Sequence, residues 1–218
     1  GGNGVDPKKY DPRSAEAEEV RSVRERYGIA EGERMALFLG RLTWVKGVRN
    51  LVQALPMVLQ EFPDTKLVIL GKGEQQSDIE ELAGRLGING NVRYRFEYVS
   101  ERERILHYAA SDLCVFPSTY EPFGIVSLEA MSMEKPLVVG ARGVVGFREQ
   151  VVNAGSEQNG VHVNGEDPAD IAWGMKEVLA DPERAKRWGR NGRERVLKFF
   201  TWRSVAEQTA GIYRKLAK

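Results

Sequence analysis

Hydrophobic positions along the chain alternate between two periods. Six short apolar runs recur, at residues 35–40 (MALFLG), 66–71 (KLVILG), 92–99 (VRYRFEYV), 113–117 (LCVFP), 136–140 (PLVVG) and 160–163 (GVHV). Four of them are almost unbroken in Val, Ile, Leu and Phe, the pattern of parallel strands covered on both faces. Between them the period lengthens to that of a helix. Val48, Leu51, Leu55, Val58, Leu59 and Phe62 mark one face, with Pro56 expected to bend the helix. Ile79, Leu82 and Leu86 mark a second, after a capping box from Ser77 and Glu80. Ser100 and Glu103 repeat that signature before Ile105, Leu106 and Ala109. Asp167 before Pro168, and Asp181 before Pro182, each set a carboxylate at an N-cap and a proline at the first helical position. The β-α alternation predicts an α/β fold with a doubly wound, mainly parallel sheet. After Val163 no strand signal follows, and helical patterns at 169–179, 182–199 and 202–216 predict an all-helical tail. Val205, Ile212, Tyr213 and Leu216 form the last helix's apolar face, and Trp202 adds a large anchor.

Composition narrows the classes. The 218 residues carry 32 Lys plus Arg against 31 Asp plus Glu, so the net charge of +1 gives no reason to expect a nucleic-acid partner or a membrane surface. No run approaches the roughly 18 apolar residues of a membrane span, and the chain is expected to be soluble and cytoplasmic. One cysteine, Cys114, excludes an internal disulfide and a cysteine-built zinc site, and its strand position makes it core. Glycine alone is in excess, 23 residues, and much of it follows the apolar runs. Strand ends of that kind are where α/β proteins bring backbone close to phosphates.

The most informative segment is EPFGIVSLE, Glu121 to Glu129, directly after the run LCVFP. A helix starting near Gly124 leaves the N–H groups of Gly124, Ile125 and Val126 as donors at its positive end, an anion site. Glu121 then stands on the preceding loop and Glu129 about one and a half turns inside the helix. Both are placed to border one cleft at the carboxyl edge of the sheet. Spacing alone equally admits a solvated Glu129 and a Glu121 favoured merely by the helix dipole. GRLTWVKG, residues 40–47, offers Arg41 and Lys46 on a glycine-bounded loop at the same edge. Beside a helix N-terminus, an Arg fork and a Lys point charge suit a diphosphate, although two surface cations explain that loop alone as well. It is no Walker A loop. After KLVIL, Gly71-Lys72-Gly73 lacks the third glycine of a dinucleotide fingerprint, since Gln76 stands there, and reads as a tight turn admitting a base or sugar. There is no D-x-D pair to hold a metal and no G-x-S-x-G elbow. His107 and His162 lie at unrelated positions, and His107 reads as a packing or surface histidine.

In order, NGVDPKKYDP (residues 3–12), GRLTWVKG, LVILGKG, YVSERERILHYAASDLCVFPS and EPFGIVSLEAM resemble the C-terminal domain of the retaining GT-B glycosyltransferases. The likeness is to the group 1 (family 4) class, which includes sucrose and trehalose synthases, bacterial glycogen synthases and many mannosyltransferases. It implies a Rossmann-like half of a GT-B enzyme that binds a nucleoside-diphosphate sugar (UDP, GDP or ADP linked), without a metal or other cofactor. Arg41 and Lys46 match the pair on the donor diphosphate, and Glu121 the carboxylate against the donor sugar; these three are the expected catalytic residues. Glu129 matches the acceptor of ribose hydroxyls, and Phe123, Gly124 and Ile125 the backbone contacts at the helix start. Val99 and Ser100, with Lys72, match the region around the base.

The resemblance also divides the chain. Residues 1–13 match an interdomain linker, 14–199 the donor-binding domain, and 200–218 a helix that crosses back to an N-terminal domain. That domain supplies the acceptor site in the family, so a chain of this extent is expected to be an excised domain, or a subunit needing a partner, and inactive alone. Its last helix is expected to expose an apolar patch or to bury it in a homodimer. Two departures bear on the sugar: Glu134 replaces a common glycine, and residues 141–151 read ARGVVGFREQV where the family is richer in glycine. The rival reading is a non-catalytic nucleotide-sugar binding or assembly module. A sugar-nucleotide epimerase of GT-B shape fits the motifs less well.

Overall fold

The computed structural model describes residues 3–143 and 145–217; Gly1, Gly2 and Lys218, which fall in the expected linker and C-terminal segments, and Val144, in the 141–151 stretch, lie outside them. Six strands, β1 (Arg34–Leu39), β2 (Thr65–Leu70), β3 (Val92–Arg95), β4 (Leu113–Phe116), β5 (Leu137–Gly140) and β6 (Gly160–Val163), form one sheet. Their order is β3-β2-β1-β4-β5-β6, and every pairing is parallel. The doubly wound α/β fold is as expected. Order reverses between β1 and β4, so a crevice opens beyond the carboxyl ends of those two strands.

Alternate residues of each strand feed opposite cores. On one face Ala36, Phe38, Leu67, Ile69 and Val115 lie under α2 (Val48–Leu59), α3 (Gln76–Arg85) and α7 (Pro168–Leu179). On the other, Met35, Leu37, Val68, Cys114 and Phe116 lie under α1 (Ala17–Arg26), α4 (Glu101–Ala110), α5 (Ile125–Ser132) and α6 (Phe147–Gln150). Burial on both faces is why the runs show no alternation of polarity. Cys114 is fully buried, and burial pushes its thiol up to about 12, that of an inert core residue.

Several boundaries differ from expectation. The run 92–99 is strand only to Arg95, whose guanidinium turns to Glu97 and Glu103 as the chain leaves the edge of the sheet. Ser77 caps nothing: α3 begins at Gln76, because Gln75 donates its N–H to the Leu42 carbonyl (3.0 Å) and opens the helix earlier. Pro56 sits inside α2, which continues to Leu59. α1 carries too few apolar residues to show in the pattern; Glu16 and Glu19 cap it reciprocally. The caps at Asp167 and Asp181 form as read, the latter before α8 (Pro182–Arg195); at Ser100 the side chain caps α4, but the box stays half-made because the Glu103 carboxylate pairs with Arg26 and Arg95. A π-type turn, Val196–Phe200, leads to α9 (Trp202–Leu216), which buries none of its side chains: Trp202, Ile212, Tyr213 and Leu216 are all exposed. None of the described helices is long and apolar enough to cross a membrane.

Candidate active site

The loops after β1 and β4 meet at the switch point, and glycine lets them touch. Gly47 has φ +76°, and a Cβ there would fall 2.2 Å from the Pro117 carbonyl oxygen. Thr119 N–H donates to the Val45 carbonyl at 2.8 Å and braces the second loop on the first. This stitching carries Lys46, on a short turn ending the first loop, to Glu121, and the two side chains form an ion pair. Glu121 is buried, and its other carboxylate oxygen accepts the Gly124 N–H at 3.4 Å.

Gly124 caps α5 with φ +62°, and Gln150 closes behind it: a Cβ at Gly124 would meet the Gln150 amide at 2.6 Å. The Phe123 carbonyl is bonded to Asn3 (2.7 Å) and Gln150 (3.4 Å). Of the three donors expected at the helix start, Gly124 is thus engaged by Glu121; among the described residues no acceptor is bonded to the N–H of Ile125 or Val126. These groups, with Arg41, Lys46 and Glu121, border a cleft of about 250 Å³. Arg41 stands exposed at its rim and makes no ion pair among the described residues. The 141–151 loop reaches the same place, where Gly146 N–H donates to the Glu121 carbonyl at 2.7 Å.

A second cleft of about 200 Å³ adjoins the first through Leu39, Gly40 and Arg41, and is bordered by Tyr98, Val99 and Arg104. Val99 lines this cleft. The Ser100 hydroxyl accepts the Glu103 N–H as the cap of α4. Lys72 lies with its ammonium 5.6 Å from the Tyr98 ring centre. Gly71 and Gly73 serve chain packing more than access. A Cβ at Gly71 would fall 1.8 Å from the Gly40 carbonyl oxygen, and one at Gly73 2.5 Å from that of Leu42.

Glu129 is no solvated helix residue. It is 6% exposed, accepts the Tyr108 hydroxyl at 2.8 Å and faces Arg104 at 3.5 Å. Burial, reinforced by the Glu129 charge, holds the Tyr108 phenol far above its ordinary value, so it donates at any physiological pH. Burial works against the Arg104 charge, but Glu129 together with the Tyr10 and Tyr108 side chains outweighs it, and the guanidinium is held more strongly protonated. Sequence reasoning missed Tyr98, Arg104 and Tyr108. The signal was present for the last two, which stand four apart, one turn along α4.

His107 is a core residue, bonded to the Tyr27 hydroxyl (2.6 Å) and the Glu103 carbonyl (2.7 Å). Among the described residues no three His, Cys, Asp or Glu side chains gather as metal ligands would.

A parallel doubly wound sheet with cations, carboxylates and a helix N-terminus at its switch point defines a Rossmann-like ligand-binding unit. The chain belongs to the glycosyl transferases group 1 family, whose sequence model matches residues 19–195. A glycosyltransferase of Methanocaldococcus jannaschii is 34% identical over 97% of this chain and 52% of its own length. The solved sucrose-phosphate synthase of Thermosynechococcus elongatus superposes with a TM-score of 0.79, at 31% identity over 98% of this chain and 51% of that one. Anabaena HepE, solved in complex with UDP and glucose, shares the fold with a TM-score of 0.82 at 24% identity, over 97% of this chain and 55% of that one. The chain thus spans about half the length of the relatives it matches.

Proposed function

We propose that the chain is the donor-binding half of a retaining, metal-independent glycosyltransferase, which moves a sugar from a nucleoside diphosphate to an acceptor and needs an N-terminal domain to do so. One observation carries the reading: the Lys46–Glu121 ion pair lies at the switch point beside the N-terminus of α5. As the glycosidic bond to the diphosphate breaks, negative charge grows on the leaving oxygens. Preorganised donors aimed at that charge lower the barrier more than they stabilise the substrate. Arg41 supplies a fork, Lys46 a point charge, and the Ile125 and Val126 N–H groups the positive end of a helix. Glu121, buried against Lys46, is placed to accept hydroxyls of the donor sugar. Glu129, fixed by Tyr108 and Arg104, is placed to accept those of the ribose, and the cleft at Tyr98 and Val99 to take the base.

UDP in the Anabaena structure supports a nucleotide in a fold of this shape, and the half-length match supports a partner domain for the acceptor. The test is a structure with a bound nucleoside diphosphate, paired with a sugar-transfer assay. The diphosphate is expected between Arg41, Lys46 and the start of α5, and the chain alone is expected to transfer nothing. A nucleotide bound elsewhere, or turnover by this chain alone, would overturn the respective half of the proposal. Binding without transfer even when the whole protein is assayed would favour the non-catalytic module.

A further inference from the structure

The segment before the sheet domain reaches the carboxylate on α5. Tyr10 is 3% exposed, although it precedes the region matched by the family's sequence model. Its hydroxyl accepts a hydrogen bond from Arg104 Nη2 at 2.8 Å, and the same nitrogen lies 3.5 Å from Glu129. It also donates to Glu101 at 3.3 Å, and its ring meets the Tyr108 ring edge-on, with centroids 6.4 Å apart. Tyr10 and Tyr108 therefore flank the one cation that faces Glu129 among the described residues. Without the Tyr10 hydroxyl, Arg104 has Glu101, at 3.9 Å, as its other carboxylate and a wider choice of positions.

The backbone at Tyr10 is pinned by different atoms. Its carbonyl accepts Ser132 Oγ at 2.5 Å and Arg193 Nη1 at 2.9 Å, and Arg193 also holds Asp11 at 3.6 Å. Position of the segment and position of the hydroxyl are thus fixed separately.

We infer that Tyr10 is a positioning residue for nucleotide binding: through Arg104 it holds the Glu129 carboxylate in the orientation that accepts the ribose hydroxyls. This rests on the donor-site reading above, in which Glu129 contacts the ribose. Burial and the nearby Glu129 charge keep the Tyr10 phenol protonated well above its ordinary range, so it serves as a hydrogen-bonding post and not as an acid or base.

The test is a double-mutant cycle on the 218-residue chain, with Tyr10→Phe, Glu129→Gln and the pair. Titration calorimetry would use the tightest binder among UDP, GDP and ADP, together with its 2′,3′-dideoxy form. Tyr10→Phe keeps the ring and both backbone pins, and an unchanged unfolding temperature checks that it folds. The expected result is a loss of about three- to tenfold in affinity for the ribonucleotide, the worth of one hydrogen bond. No loss is expected for the dideoxy form, and none in the Glu129→Gln background. A merely structural Tyr10 would weaken both nucleotides equally and add to Glu129→Gln, which would overturn the inference. Binding of the ribonucleotide unaffected by Tyr10→Phe would overturn it too, with the donor site left standing. Absence of nucleotide binding by the unsubstituted chain would remove the donor-site reading and this inference together.

Discussion

Replacing Glu121 by Gln separates the affinity of the site for product from its affinity for donor. Gln keeps the shape and an acceptor for Lys46 but removes the charge, in a side chain that is only 7% exposed. A diphosphate that takes the same ammonium must lie across it from Glu121, roughly twice a salt-bridge contact away, or about 6 Å. At an effective dielectric constant of ~20 the repulsion between unit charges at that distance is about 3 kcal/mol. Salt and the intervening Lys46 reduce it to about 1 kcal/mol, roughly fivefold in a dissociation constant. The account therefore predicts that Glu121→Gln tightens binding of the free nucleoside diphosphate about fivefold, while it weakens the nucleotide sugar, whose hydroxyls lose a charged acceptor. Titration calorimetry at 0.05 and 0.3 M salt reads both effects, with the gain for the diphosphate shrinking as salt rises. Equal or weaker binding of the diphosphate by the variant would show that Glu121 and the phosphates do not share Lys46.

Three further outcomes are expected. Glu134 holds φ +60°, the only positive value of a non-glycine residue among the described ones, so Glu134→Gly should raise stability by about 0.5–1 kcal/mol and the melting temperature by ~1–4 °C; a lower melting temperature would contradict it. Burial first, then the nearby Arg95 and Arg26 charges, holds the His107 pKa below its ordinary 6.5, against the pull of the Glu103 carbonyl and charge. The unfolded chain therefore takes the proton first, stability falls as pH drops below about 6.5, and His107→Gln should flatten the denaturation midpoint between pH 6.5 and 5, above the range where carboxylates titrate. With Trp202 59%, Ile212 60% and Leu216 78% exposed, the chain should self-associate at high concentration, and serine at all three positions should keep it monomeric in sedimentation; a monomeric unsubstituted chain would refute that.

What could be read from residue order was set by local rules. Strands buried on both faces leave continuous apolar runs, so five of the six came out within about a residue; Asp-Pro pairs place helix starts by chemistry the backbone cannot evade. The cations and carboxylates of the crevice were legible because they follow strands directly. What escaped depends on distant partners. β3 ends early because Arg95 turns to Glu103 on α4. Gly71 looked like an opening for a ligand, whereas its missing side chain makes room for the Gly40 carbonyl of a neighbouring loop. Burial of Glu129 needs Tyr108 and Arg104 from another helix, and no spacing within EPFGIVSLE could reveal it.

The most direct test of the donor site is thermal unfolding against UDP, GDP and ADP, repeated on Arg41→Ala and Glu129→Ala. A nucleotide at about 100 times its dissociation constant adds ~2.7 kcal/mol, or roughly 5–10 °C for a chain of this size. The account predicts such a shift with at least one of the three, lost in both variants. No shift with any of them, or a shift that survives both substitutions, would contradict it.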